Sequence, residues 1–352
     1  MNKKLIALAV AAGMAAPMAA QAEATWYGQL QVEAAGHSSD FADIPAATFD
    51  ASADFDDHVW QNTGRWNNDG TQVEDDKRGR LGVKGKEDLG GGLSAVYQFE
   101  FQVDTSTGDV DDGDRVSFVG LNGNFGTIKA GSLKSPYKYF GGVKYDPFVT
   151  TSAEARRYGG MTSGQFGHNG FIQNALSYEN NFGGAELWVT YVADERNNRD
   201  GDYAAGLKFS GSNYEAFVAT ASDADQDNDE TTPDLTYDAM KVGGQFKSGP
   251  HKISAQYEMT TQETGANDID GTVLYVNYDM KMGKNIFTAT YGMQELDLGA
   301  GVEPEGTFTR IGVTHKFTKQ TRAMLAWSNS NVEISGVDAD KGTIMGAMRV
   351  DF

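Results

Sequence analysis

Apolar and polar residues alternate with a period of two in sixteen separate stretches of this 352-residue chain, and no other feature narrows its fold as far. In the first stretch Trp26, Gly28, Leu30, Val32 and Ala34 share one face, and Tyr27, Gln29, Gln31 and Glu33 share the other. Leu93, Ala95, Tyr97, Phe99 and Phe101 alternate in the same way with Ser94, Val96, Gln98, Glu100 and Gln102. Such a pattern marks β-strands whose two faces meet different surroundings. The segments fall near 24–35, 77–88, 93–104, 114–121, 126–132, 170–180, 185–194, 202–209, 213–221, 237–246, 251–260, 271–281, 285–293, 306–317, 320–328 and 342–352. An all-β fold is expected.

The connections then sort by parity. Every second one is short and built of turn residues: Gly90-Gly91-Gly92, Asn122-Gly123-Asn124, Asn181-Phe182-Gly183-Gly184, Ser210-Gly211-Ser212, Ser248-Gly249-Pro250, Met282-Gly283-Lys284 and Thr318-Lys319. The others include 36–76, 133–169, 222–236, 294–305 and 329–341, and are mostly polar and acidic. A soluble sandwich has no reason to sort its loops this way. A transmembrane β-barrel does, with short periplasmic turns and long extracellular loops. The expected fold is a sixteen-stranded antiparallel transmembrane barrel, and the even strand count puts both termini on the periplasmic side.

The two ends agree. Lys3 and Lys4 precede an apolar stretch from Leu5 to Ala16, and Ala20-Gln21-Ala22 reads as a cleavage site. Residues 1–22 are thus expected to be a secretory signal peptide, leaving 23–352 as one barrel domain. The apolar stretch is too short for a membrane anchor, and no later segment approaches the roughly 20 apolar residues of a spanning helix. In the last strand Ile344, Gly346, Met348, Val350 and Phe352 share one face. A terminal aromatic residue closing an alternating strand resembles the signal by which outer-membrane barrels are recognised for assembly.

Composition narrows the chemistry. The 43 glycines and 7 prolines suit many short strands with tight turns. The chain has no cysteine, which removes disulfides and thiol catalysis. Without Lys3 and Lys4, 27 basic residues face 49 acidic ones, which argues against a nucleic-acid partner. The five histidines show no metal spacing, and neither a Gly-x-Ser-x-Gly elbow nor a phosphate loop is present. The run from Asp223 to Asp234 has aspartate at alternate positions but lacks the glycine and glutamate of a calcium hand. It reads as a solvated acidic loop. No cofactor, metal or enzymatic activity is expected.

A lipid-facing Arg or Lys near the midplane costs roughly 2–4 kcal/mol, so the apolar face must point outward. Alternation then turns Arg78, Arg80, Lys84, Lys86, Arg115, Lys129, Lys208, Lys241, Arg310, Lys316, Arg322 and Arg349 inward, with fewer acids, among them Glu33, Glu100, Glu186, Glu258 and Asp279. Few aromatics follow, chiefly Tyr27, Trp188, Phe217 and Tyr275. The acidic excess falls in the loops, and the interior is basic.

Arg80 through Leu93, reading Arg-Leu-Gly-Val-Lys-Gly-Lys-Glu-Asp-Leu-Gly-Gly-Gly-Leu, resembles the second strand and first turn of the general bacterial porins. Asp114 through Leu121 resembles their fourth strand, and Trp26-Tyr27-Gly28 and Phe352 fit the same family. The resemblance implies a homotrimer of sixteen-stranded barrels embedded among outer-membrane lipid and lipopolysaccharide. It implies insertion by the barrel assembly machinery, with Phe352 in the signal, and passage of ions and small hydrophilic solutes. It also implies a third loop, here about 133–169, folded inward to narrow the pore. A basic wall would face carboxylates on that loop. Arg80 and Arg115 match wall positions, and Arg78 and Lys84 share the face of Arg80. Asp146 and Glu154 would stand opposite. The loop departs from the family's Pro-Glu-Phe-Gly-type motif and carries Arg156 and Arg157, so the sign of its contribution stays open. Gln29, Glu33, Glu100, Lys129 and Arg322 would line the pore elsewhere. A substrate-specific channel, or a barrel serving as adhesin or phage receptor, remains as an alternative.

Overall fold

In a computed structural model the chain is described at residues 24–39, 70–74, 79–111, 115–156, 161, 171–192, 202–223, 236–263, 268–299 and 301–352. The signal segment, Arg78, Arg157 and the acidic run 224–234 lie outside the described residues.

Sixteen strands follow one another: β1 Thr25–Ser39, β2 in two segments Gly70–Glu74 and Gly79–Gly90, β3 Leu93–Val103, β4 in two segments Val110–Asp111 and Ser117–Gly123, β5 Gly126–Lys134, β6 Phe171–Asn181, β7 Ala185–Val192 and β8 Tyr203–Ser210. The second half comprises β9 Tyr214–Asp223, β10 Thr236–Ser248, β11 His251–Glu263, β12 Asp268–Met282, β13 Asn285–Asp297, β14 Glu305–Lys316, β15 Thr321–Ile334 and β16 Val337–Asp351. Both segments of β2 pair with β1, and both of β4 with β3, so each counts as one strand. Each strand pairs antiparallel with its sequence neighbours, and β1 closes the ring on β16 with Leu30 opposite Val350 and Glu33 opposite Ala347. Past the strand end, Gly28 and Phe352 exchange two backbone hydrogen bonds of 2.8 and 3.0 Å. A closed ring leaves no unpaired edge, the condition for backbone to cross hydrocarbon.

Burial confirms which face is which. Leu30, Val32, Ile311, Leu325 and Ile344 are exposed on the outside, while Gln29, Gln31, Ser254 and Asn277 are buried inside. Phe209, Tyr214, Phe246, Tyr278, Phe287 and Phe317 stand exposed near the short turns. They form one of the aromatic girdles that mark a bilayer interface.

The sequence reading needs correction at the long-loop end. The span 329–341 is not a loop. β15 runs to Ile334 and β16 begins at Val337, joined by Ser335 and Gly336 with φ of 52° and 79°. Two successive positive φ values suit a tight hairpin. The strands turn polar there because Asn329 and Asn331 meet Asp340 across the sheet, and that polarity read as loop. The interior is also richer in aromatics than alternation alone suggested: Phe308 and Tyr237 are buried, and Phe118 packs against the same cluster.

Candidate functional site

The chain between β5 and β6 turns into the barrel. Ser135 caps a single helical turn, α1 Pro136–Tyr139, through Oγ, which accepts from the Tyr137 amide at 3.0 Å. Pro136 opens α1, where no amide donor is needed. A 3₁₀ turn, Gly142–Lys144, follows. Tyr137, Phe140 and Tyr145 are buried against Trp188, Ala204, Phe217, Ala219 and Tyr237 of β7 to β10. Burying each such ring stabilises the arrangement by about 1.5–3 kcal/mol, enough in sum to hold the loop on the wall.

Two wall glycines receive the loop. A Cβ on Gly206 of β8 would lie 2.1 Å from the Phe140 ring, and one on Gly312 of β14 would lie 2.4 Å from the Phe148 ring. Their missing side chains are the sockets for these two phenylalanines. Farther round, Gln256 accepts from the Gly142 amide at 2.7 Å, and the Tyr275 hydroxyl donates to the Tyr145 carbonyl at 3.0 Å.

The strongest attachment is Arg310 of β14. Its guanidinium donates to the Ala153 carbonyl and to Thr290 Oγ1, both at 2.7 Å, and pairs with Asp146 at 2.7 Å. Both charged side chains are wholly buried. Asp146 also accepts from the amides of Phe148 and Ala155, at 2.9 and 2.8 Å, so it folds the loop as well as fastening it. The loop also meets β1, where the Ser152 amide donates to Glu33 at 2.8 Å and Thr150 donates to Gln31 at 3.2 Å. Thr150 has φ of 73°, a costly conformation for a β-branched residue, which persists because Gln31 and Glu154 fix its backbone.

These contacts change the expected roles of several residues. Asp146 is an internal anchor, not a carboxylate facing the open lumen. Glu154 pairs with Arg156, and both are buried within the loop. Glu33 is a loop tether, and Gln29 is buried on the inward face of β1. Loop amides, Arg310, Arg156 or a burying wall take up each of these groups.

Open space remains on the other side of the barrel, against β2 to β7. One cavity of about 390 Å³ is lined by Lys84, Lys86, Gln98, Lys129 and neighbours, and another of about 240 Å³ lies between β3–β7 and the loop. Several ion pairs lie on the strands of this half of the barrel. Arg115 pairs with Glu100 at 2.5 Å, and Arg80 stands 3.9 Å from the same carboxylate, which also accepts from the Tyr27 hydroxyl at 2.8 Å. Lys129 pairs with Glu179, and Lys208 with Glu186, each at 2.6 Å. Arg322 and Arg349 share Asp351 at the short-turn rim.

Three lysines that were not among the expected site residues join them. Lys134 ends β5 and lines the smaller cavity; among the described residues no carboxylate lies within ion-pair distance of it. Lys138 sits 3.9 Å from the centre of the Phe171 ring, and Lys144 sits 3.3 Å from that of Tyr139. Desolvation inside the barrel, followed by repulsion from Lys208, pushes Lys144 down to about 8. Burial and the nearby Glu186 carboxylate push the Tyr139 hydroxyl up to about 12. The wall is thus a row of partly neutralised cations, with Arg80, Lys84, Lys134 and Lys144 the least compensated.

A family model described as Gram-negative porin matches residues 7–333. The major outer membrane protein P.IB of Neisseria gonorrhoeae is 30% identical over 227 residues, 62% of this chain and 56% of that protein, so the match spans about half of the relative's length. Among solved structures, a loop-deletion form of OmpT, an outer membrane protein of Vibrio cholerae, superposes with a TM-score of 0.70 at 17% identity, covering 95% of this chain and all of the other. An anion-selective porin from Comamonas acidovorans gives 0.70 at 19% identity, covering 94% and 100%. At these identities the structural likeness establishes the fold.

Proposed function

The chain belongs to the Gram-negative porin family, and on that premise we propose that it is a general diffusion porin. It would offer ions and small hydrophilic solutes a passive, water-filled path across the outer membrane. The observation that carries this reading is the third loop, fastened to the wall from β7 round to β1, beside two cavities with charged linings among β2 to β7. Transport, rather than catalysis, is the role such an interior suits. The working form would be a homotrimer set in lipid and lipopolysaccharide, inserted by the assembly machinery with Phe352 as part of its signal.

Arg80, Lys84, Arg115, Lys129 and Lys134 would form the basic side of the constriction, Arg322 would line the periplasmic rim, and the loop backbone would form the opposite side. Because the least compensated groups are cations, the pore would favour small anions.

Planar-bilayer recording tests the reading: ohmic conductance steps grouped in threes, with a reversal potential on the anion side in a salt gradient. Absence of stepwise conductance from correctly folded protein would overturn it. A pH dependence should accompany it. Lys144 is charged below about 8 and neutral above, so anion preference should fall as pH is raised from 7 to 9. Lys144→Gln should remove that change; a pH-independent reversal potential across the same window would show that Lys144 does not face the ion path.

A further inference from the structure

We propose that the smaller cavity is a binding subsite for zwitterionic solutes with an apolar side group, the chemistry of free aromatic and large aliphatic amino acids. The inference rests on the channel reading and names a solute class for it. The cavity, about 240 Å³, is many times the roughly 30 Å³ share of one water. Phe118, Leu133 and Trp188 give it an apolar side.

Its charged side carries both signs, Lys129 and Lys134 with Glu179 and Glu186. Lys134 is in no ion pair among the described residues, and the carboxylate that attracts it is Glu100. Glu179 engages Lys129 through Oε1 alone, and its side chain is still 24% exposed. Glu179 and Lys134 both line this cavity. Lys129 is held in place by the rings of Phe118 and Trp188, at 4.9 and 5.5 Å, which keeps it on Glu179 rather than available to a solute.

A simple anion entering here would meet Lys134 but also an adjacent carboxylate. A simple cation would meet the reverse. A molecule with carboxylate and ammonium on one carbon satisfies both groups and lays its side chain on the apolar side. Like and unlike charges discriminate in this way because an unpaired charge brought against its own sign is penalised.

The test uses the full-length protein in planar bilayers and three probes of similar size: L-phenylalanine, 3-phenylpropionate with the carboxylate alone, and 2-phenylethylammonium with the ammonium alone. L-Phenylalanine should interrupt the current with an apparent Kd about tenfold below either of the others, a difference of ~1.4 kcal/mol. Lys134→Gln should weaken L-phenylalanine to the level of the ammonium probe, and Glu179→Gln to that of the carboxylate probe. Equal block by either single-charge probe, or no block in an open channel, would overturn the proposal. The probe comparison on the unaltered protein decides the matter even where a variant fails to assemble. Absence of any conductance would instead be a failure of the channel reading.

Discussion

Replacing Arg310 with alanine should turn a steady pore into a noisy one, with broad current fluctuations and a wider spread of conductance levels, while the barrel keeps nearly its full resistance to heat and detergent. Arg310 is the main link between the third loop and the far wall, joining Asp146, Ala153 and Thr290. Removing one partner of a buried pair costs about 3–5 kcal/mol, because the other charge is left without compensation. Asp146 would keep only its two loop amides. That cost falls on the loop: the wall is held by interstrand hydrogen bonds that Arg310 does not make, and local opening needs less free energy than global unfolding. Arg310→Lys should lie between, since an ammonium keeps the charge but loses the fork that reaches three acceptors. Single-channel noise analysis and protease accessibility of the loop measure the effect. A quiet, unchanged pore in the alanine variant would show that the aromatic packing alone fixes the loop.

The second large effect should come from neutralising Arg80, Lys84 and Lys134 together. The permeability ratio should move toward cations by about five- to tenfold, as three screened charges of a few tenths of a kcal/mol each would give. These three are chosen because removal strands no partner. Arg80 is 3.9 Å from Glu100, which keeps Arg115, and Lys84 lies over the Tyr27 ring at 5.3 Å. Substituting Arg115 instead would leave Glu100, 3% exposed, short of its closest cation, and would mix a selectivity change with lost assembly. Reversal potentials in a salt gradient report the outcome. No shift in the triple variant would mean that ions travel elsewhere.

The wall was legible in the sequence because bilayer and water impose their demands residue by residue. Leu30 and Gln31 had to differ, and that difference is visible without any knowledge of partners. The third loop obeys no such rule. Asp146 and Glu154 were expected to be pore carboxylates because the family resemblance sets third-loop carboxylates opposite the basic wall; backbone amides and Arg310 claimed the first, and Arg156 the second. Arg310 was correctly placed inside but was indistinguishable from the other inward cations, since its contact with Ala153 spans 157 residues. Lys134 was missed because β5 ends there and alternation lapses. One signal went unused: Gly206 and Gly312 are glycines at inward positions within strands, and such a gap in a packed interior implies something that fills it.

The seam between β1 and β16 has a consequence for how the molecule comes into being. Its final link joins residues 28 and 352, so the ring cannot shut until almost the whole polypeptide is present. The thermodynamic cost of so distant a closure is small, since loop entropy grows only by about 0.6 kcal/mol per doubling of length. The kinetic cost is not: contacts of great sequence separation form last and slowly. Until then the growing sheet has two open edges and an apolar outer surface, the combination most prone to aggregation. A chain of this design is therefore expected to aggregate in water unless its open edges are covered until both seam strands are in place.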